Sequence, residues 1–167
     1  PILDLAFNEG IRMLDTAHGY GDAEKVLGRN LKSKKPFKIF SKISINKNTD
    51  KNNVYKELNE KFENTLKRLN QSSIEGLFIH DSTLLSSKIR KQVIEWLISI
   101  QNKNKVKKIG VSIYELDDLR DIPLDIFQII QIPCSLYDQR MLKNGALSLL
   151  VSKKISIHIR SIFLQGI

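Results

Sequence analysis

The chain has 167 residues, of which 41% are hydrophobic and 27% charged, a composition that suits one folded domain over residues 1–167 and excludes a disordered protein. Its net charge of +9 is spread along the chain, which we interpret as a solvated basic surface; an anionic small ligand is the second interpretation and nucleic acid the third. The single cysteine, Cys134, excludes an internal disulfide and indicates a reducing compartment, the cytoplasm. We see no secretion signal and no run of about 18 apolar residues, so we expect neither export nor a membrane partner.

Six short apolar runs rich in Ile, Val and Phe are predicted to be β-strands. Their hydrophobicity is nearly continuous rather than alternating, which is typical of strands buried on both faces of a parallel sheet. The runs are 11–14, 37–43, 74–79, 108–112, 126–132 and 155–162.

Amphipathic segments between these runs predict helices at 2–8, 22–32, 53–69, 87–101, 115–119 and 138–151. In 22–32 we expect Asp22 to cap the helix and Val26 to belong to its buried face. Alternating strands and helices indicate βαβ units, either in an open doubly wound sheet or in part of an eight-stranded barrel. Neither a GxGxxG nor a P-loop motif follows any strand, which argues against the common nucleotide-binding sheets.

Four side chains suited to acid–base chemistry lie at or just beyond the ends of three successive strands. Parallel strands bring these ends to one edge, where α/β enzymes place their active sites. A phenol can act as a general acid when a nearby ammonium, held by a carboxylate, lowers its pKa from about 10. The four residues are Asp15, Tyr20, Lys42 and His80.

The segment 15–28, DTAHGYGDAEKVLG, resembles the signature of the aldo-keto reductases, DTAxxYGxxExxLG. Further matching segments follow in the family's order: SKI at 41–43, HD at 80–81, KIGVS at 108–112, QIP at 131–133 and RSIFLQG at 160–166. The resemblance covers the whole chain. It implies a (β/α)8 TIM barrel that reduces a small-molecule aldehyde or ketone with NADPH, with NADH as the alternative cofactor.

By this resemblance, Tyr20 protonates the carbonyl oxygen, Lys42 lowers the pKa of Tyr20, Asp15 holds Lys42, and His80 orients the carbonyl. Ile113 stands where the family usually has Asn, and an arginine stands where many members stack a tyrosine on the nicotinamide. That arginine could cover the ring as a flat cation or pair with a phosphate. Positions that match the family's cofactor contacts are Ser112, Gln131, Arg160 and Ser161.

The matched segments correspond to strands two to seven of the family's barrel, so we expect the first and eighth strands to be missing. Such a partial barrel has two exposed edges, and we expect it to be marginally stable. The alternative function is a non-catalytic reductase-like protein, or an inactive fragment, that binds cofactor or a partner. Three scattered histidines and one cysteine predict no metal site, and we expect His18 to be an exposed loop residue.

Overall fold

The computed structural model describes residues 2–31 and 36–164, and in it six parallel strands form one sheet. Each strand pairs with the next along the chain, which excludes the doubly wound alternative because that sheet reverses its strand order. All six predicted strands are confirmed. They are β1 (Met13–Asp15), β2 (Lys38–Ile43), β3 (Ile74–Ile79), β4 (Val106–Ser112), β5 (Ile129–Pro133) and β6 (Ser156–Arg160).

The sheet is curled into part of a barrel. In a flat sheet β2 and β6 would lie about 19 Å apart, since neighbouring strands are spaced by about 4.8 Å. The ring centroids of Phe40 on β2 and His158 on β6 are instead 4.5 Å apart. Inward-pointing side chains from opposite parts of the sheet therefore meet inside a partial (β/α)8 barrel.

Helices cover the outer face of the sheet. The long helix at 53–69 is confirmed with its apolar stripe buried, and the helix at 138–151 is divided because Gly145, at φ +84°, leaves the helical region. The segment 115–119 forms a 3-10 helix, Leu116–Arg120, and a further 3-10 helix, Ser82–Ser86, was not predicted. The α-helices are α1 (Ile2–Asn8), α2 (Ala23–Asn30), α3 (Val54–Leu69), α4 (Arg90–Asn102), α5 (Arg140–Lys143) and α6 (Ala146–Ser152).

Two predictions for α2 are wrong. Val26 is 53% exposed, because the face that packs on α3 carries Glu24 and Gly28 instead. Asp22 occupies the N-cap position but makes no side-chain cap, since its carboxylate accepts a hydrogen bond from Lys25 Nζ at 2.8 Å. The predicted end of this helix at residue 32 lies outside the described residues.

The hydrophobic core has two parts. The larger part lies between the sheet and the outer helices, and the smaller part lies inside the barrel and consists of Phe40, Phe78 and Ile129. Strands β2 to β5 are buried on both faces, as predicted, except at their N-terminal ends. The prediction is wrong for β1 and β6, which are partly exposed because they form the two edges of the sheet. Within the described residues, no helix is long and apolar enough to cross a membrane.

Candidate active site

The predicted site residues share one face of the sheet. Alternate residues of a strand point to opposite faces, and strand register places their side chains in layers inside the barrel. Phe40, Phe78 and Ile129 pack together inside the barrel. The predicted site residues on the strands lie in their carboxyl-terminal halves or directly after them: Asp15, Lys42, His80, Ser112, Gln131 and Arg160.

Lys42 is held by Asp15, as predicted. Its Nζ donates to Asp15 Oδ2 at 2.6 Å and to the carbonyl oxygen of Thr16 at 2.9 Å. Burial lowers the pKa of Lys42, and the charge and hydrogen bond of Asp15 oppose this shift. The ammonium of Lys42 is therefore buried inside the barrel, and its hydrogen bonds to Asp15 and Thr16 fix its orientation.

Tyr20 lies next to this ammonium, in the turn that follows β1. Lys42 Nζ is 5.3 Å from the centre of the phenol ring, and the ring itself is half exposed. Burial, followed by the negative charge of Asp15, raises the pKa of Tyr20 above its ordinary value. In this structure the ammonium of Lys42 donates its hydrogen bonds to Asp15 and Thr16. Tyr20 is consequently a neutral, protonated phenol at pH 7.

His80 completes the group of four. Its ring lies edge-on to that of Tyr20, with 5.9 Å between the ring centroids. Burial lowers the pKa of His80, and the positive charges of Lys42 and Arg160 lower it further. A neutral imidazole can donate one hydrogen bond from its N–H to an acceptor such as a carbonyl oxygen.

Ser112 and Gln131 form a buried polar pair beside this group. They are register partners on β4 and β5, and Ser112 Oγ lies 3.4 Å from Gln131 Oε1. Both side chains are buried, so a hydroxyl and an amide are presented to the interior in a fixed position. Such a pair suits a ligand that both donates and accepts hydrogen bonds.

Arg160 ends β6 at the same edge. Its guanidinium lies over the ring of Tyr114, with 4.1 Å from Cζ to the centroid, and Nη2 donates to the carbonyl oxygen of Ile113 at 3.3 Å. In the part of the chain that the structure describes, Arg160 Nε is buried without a hydrogen-bond partner. The next residue, Ser161, is exposed with a left-handed φ of +60°.

The family of the chain follows from a comparison with known proteins. The model of the aldo/keto reductase family matches residues 1–167. The chain belongs to the aldo/keto reductase family. A search of curated proteins finds no match.

Solved aldo-keto reductases have the same fold. The holo form of the enzyme from Bacillus halodurans has a TM-score of 0.83 at 20% identity, over 99% of this chain and 57% of that one. An aldo-keto reductase from Klebsiella pneumoniae in complex with NADPH has a TM-score of 0.77 at 18% identity, over 98% and 57%. An enzyme from Brucella melitensis has a TM-score of 0.72 at 22% identity, over 97% and 62%. The chain spans less than two thirds of the length of each of the three.

Ile113 and Arg160 are the positions at which the chain departs from the family pattern. Ile113 points into the hydrophobic core and is fully buried, so its side chain offers nothing to a ligand. The backbone N–H of Ile113 donates instead to the carbonyl oxygen of Gln131 at 2.9 Å, which fixes Gln131 in place. In the segment 160–166, residues 165 and 166 lie outside the described residues.

Sequence reasoning missed a polar cluster behind the signature segment. His18 is not an exposed loop residue: its Nδ1 lies 3.2 Å from Thr65 Oγ1, and its ring is half-buried. The cluster is centred on the buried carboxylate of Glu24. The spacing of Glu24 and Gly28, one helical turn apart in the signature, is the signal that could have indicated a shared packing face. Within residues 2–31 and 36–164, no group of three or more His, Cys, Asp and Glu side chains is suited to a metal.

Proposed function

We propose that the protein reduces an aldehyde or ketone to an alcohol by hydride transfer from NADPH, with Tyr20 as the proton donor. The observation that carries this proposal is the position of a neutral phenol between a buried ammonium and a neutral imidazole. The family membership and the fold shared with an NADPH complex of a relative also support it.

The proton is transferred from Tyr20 to the oxygen of the substrate carbonyl. A tyrosine phenol, with an ordinary pKa of about 10, is protonated at neutral pH, and this is the state that a proton donor needs. Negative charge then develops on the phenol oxygen, and the ammonium of Lys42 stabilises it. His80, neutral at the same pH, donates to the carbonyl oxygen and orients it for both transfers.

The residues at this edge fit a nicotinamide cofactor. Ser112 and Gln131 offer a hydroxyl and an amide that match the hydrogen-bonding groups of a carboxamide. Arg160 has a buried, unpartnered Nε–H among the described residues, and its planar group suits either a flat ring or a phosphate. Ser161 follows it and is proposed to contact the pyrophosphate. When bound, the reduced nicotinamide supplies the hydride to the carbonyl carbon.

The experiment compares Tyr20→Phe with Tyr137→Phe. Tyr137 is 83% exposed and lies outside the group of four, so its variant controls for the loss of a phenol. We expect Tyr20→Phe to lower kcat for an activated aromatic aldehyde by about 100-fold or more, because general acid catalysis contributes on that order. The affinity for NADPH, measured by nucleotide fluorescence, should not change.

The activity of Tyr20→Phe and the binding of NADPH by the wild-type protein separate the two proposed functions. Equal activity of Tyr20→Phe and the wild-type protein would contradict the role of Tyr20. If the wild-type protein binds NADPH without reducing any aldehyde or ketone tested, the non-catalytic alternative replaces the oxidoreductase.

A further inference from the structure

A fully buried carboxylate joins three elements outside the barrel. Glu24 lies on α2 and accepts a hydrogen bond from Ser41 Oγ on β2 at 2.8 Å. From α3, Thr65 Oγ1 donates to Glu24 Oε2 at 3.3 Å, and Arg68 Nη1 lies 3.7 Å from the same oxygen. A buried charge is tolerated only with such partners, so α2, β2 and α3 are fixed relative to one another at this point.

The segment that carries Tyr20 is attached to this cluster through His18. Thr65 has a single hydroxyl hydrogen, which it gives to Glu24. His18 Nδ1 is therefore the donor in its 3.2 Å contact with Thr65 Oγ1. The carbonyl oxygen of His18 also accepts from Arg68 Nη1 at 3.3 Å. Two contacts thus hold the backbone two residues before Tyr20.

The same cluster reaches the strand that carries Lys42. Ser41 and Lys42 are adjacent on β2, so their side chains point to opposite faces, one toward Glu24 and one into the barrel. The backbone N–H of His18 donates to the carbonyl oxygen of Lys42 at 2.9 Å. The contacts that hold the Tyr20 segment and those that hold Lys42 therefore converge on Glu24.

We propose that Glu24 is a positioning residue, whose buried carboxylate sets the position of Tyr20 relative to Lys42. It acts through Ser41, Thr65 and Arg68, from the face of the sheet opposite to the reacting groups. This inference rests on the proposed function, because the distance between Tyr20 and Lys42 matters for a proton transfer.

The test compares Glu24→Gln with Glu63→Gln. The first keeps the size of the side chain but replaces one of the carboxylate oxygens, which accept hydrogen bonds from Ser41 and Thr65, by an N–H₂ group that cannot accept one. The second changes an exposed glutamate on α3 and is the matched control. Hydrogen exchange of the amides in residues 16–22 reports how firmly the segment is held, without any need for turnover. Steady-state kinetics give kcat and the KM for NADPH separately.

We expect Glu24→Gln to speed exchange in residues 16–22 by about tenfold or more, because the local contacts that oppose opening are lost. We expect kcat to fall by about 10- to 100-fold, since a small displacement of catalytic groups has an effect of that order. The KM for NADPH should stay within about twofold, because Ser112 and Gln131 are not part of the cluster. Glu63→Gln should match the wild type in all three measurements.

A second variant, Ser41→Ala, keeps the inference testable if Glu24→Gln does not fold. It removes only the 2.8 Å hydrogen bond and should change exchange and kcat in the same direction by less. Unchanged exchange and kcat in a folded variant overturn the proposal, and so does an equal loss of kcat and NADPH affinity. If the wild type has no reductase activity while Glu24→Gln still speeds exchange, the proposed function fails and the positioning of the segment by Glu24 is supported.

Discussion

Asp15 and Lys42 are unequal partners in their ion pair. The side chain of Lys42 is 1% exposed, whereas that of Asp15 is 43% exposed. A charge that loses its partner inside a protein is costly, but a charge that remains in contact with water is not. Removal of the Asp15 carboxylate and removal of the Lys42 ammonium should therefore lower the free energy of unfolding by different amounts.

We predict that Asp15→Ala lowers the free energy of unfolding by about 3 kcal/mol, because it leaves the buried ammonium without its carboxylate. Lys42→Met keeps a side chain of similar length and leaves a hydrated carboxylate, so its cost should be about 1 kcal/mol or less. Both variants should lose reductase activity. Urea unfolding of the two variants measures the difference, and an equal or larger loss for Lys42→Met would contradict this account.

Sequence analysis predicted the contact between Asp15 and Lys42 because each follows from a strand end, and parallel strands align their ends. It did not predict the partners of Glu24, since Thr65 and Arg68 lie on a helix much later in the chain. Residue order also does not encode whether the ammonium of Lys42 points at the phenol or at Asp15; in the structure it donates to Asp15 and to the carbonyl oxygen of Thr16.

Among the helices, α2 and α3 pack with their backbones in close approach. A Cβ atom added to Gly28 would lie 2.2 Å from the carbonyl oxygen of Arg68 and 2.7 Å from the carbonyl carbon of Leu69. Both atoms belong to the backbone at the end of α3, so neither can rotate away. Gly28 lies one turn after Glu24 on the same face of α2, and the close approach brings Glu24 within reach of Thr65.

We predict that Gly28→Ala lowers the free energy of unfolding by about 1–3 kcal/mol, because overpacking against backbone outweighs the gain in helix propensity. Gly19→Ala is the matched control, since no atom lies within 4 Å of a Cβ added there and its φ is not positive. Urea unfolding compares the two. A Gly28→Ala protein as stable as Gly19→Ala would show that α2 can move away from α3 at no cost.

Elements that follow from the hydrophobicity pattern were predicted correctly, whereas features that depend on packing or on a single backbone angle were not. The strands were found because their apolar runs are continuous, which reflects burial on two faces. The division of 138–151 into α5 and α6 depends on the left-handed φ of Gly145, a residue that a helical pattern can also contain. The buried face of α2 was misjudged because its central residue is a carboxylate, and hydrophobicity does not reveal a polar group that finds buried partners.

For the molecule as a whole, the two edge strands set the expected stability. The hydrophobic core that lies between strands β2 to β5 and the outer helices is buried. Met13 on β1 and Ile159 on β6, in contrast, are exposed apolar side chains. Unpaired strand edges bearing such side chains favour association over a stable monomer. These exposed side chains at the edges of the sheet support the prediction that the chain is marginally stable alone.

NADPH should stabilise this chain if the proposed site is formed by the six strands. At a concentration 100 times its Kd, a ligand adds about 2.7 kcal/mol to the free energy of unfolding. For a domain of this size that corresponds to a rise in Tm of roughly 5–10 °C. Thermal unfolding followed by circular dichroism measures the shift, and NADH in parallel tests the alternative cofactor. Inorganic pyrophosphate is the control for attraction to the basic surface, and it should raise Tm less. A cooperative transition of the free monomer at high temperature would contradict marginal stability, and a Tm unmoved by NADPH would contradict a nicotinamide site on these strands.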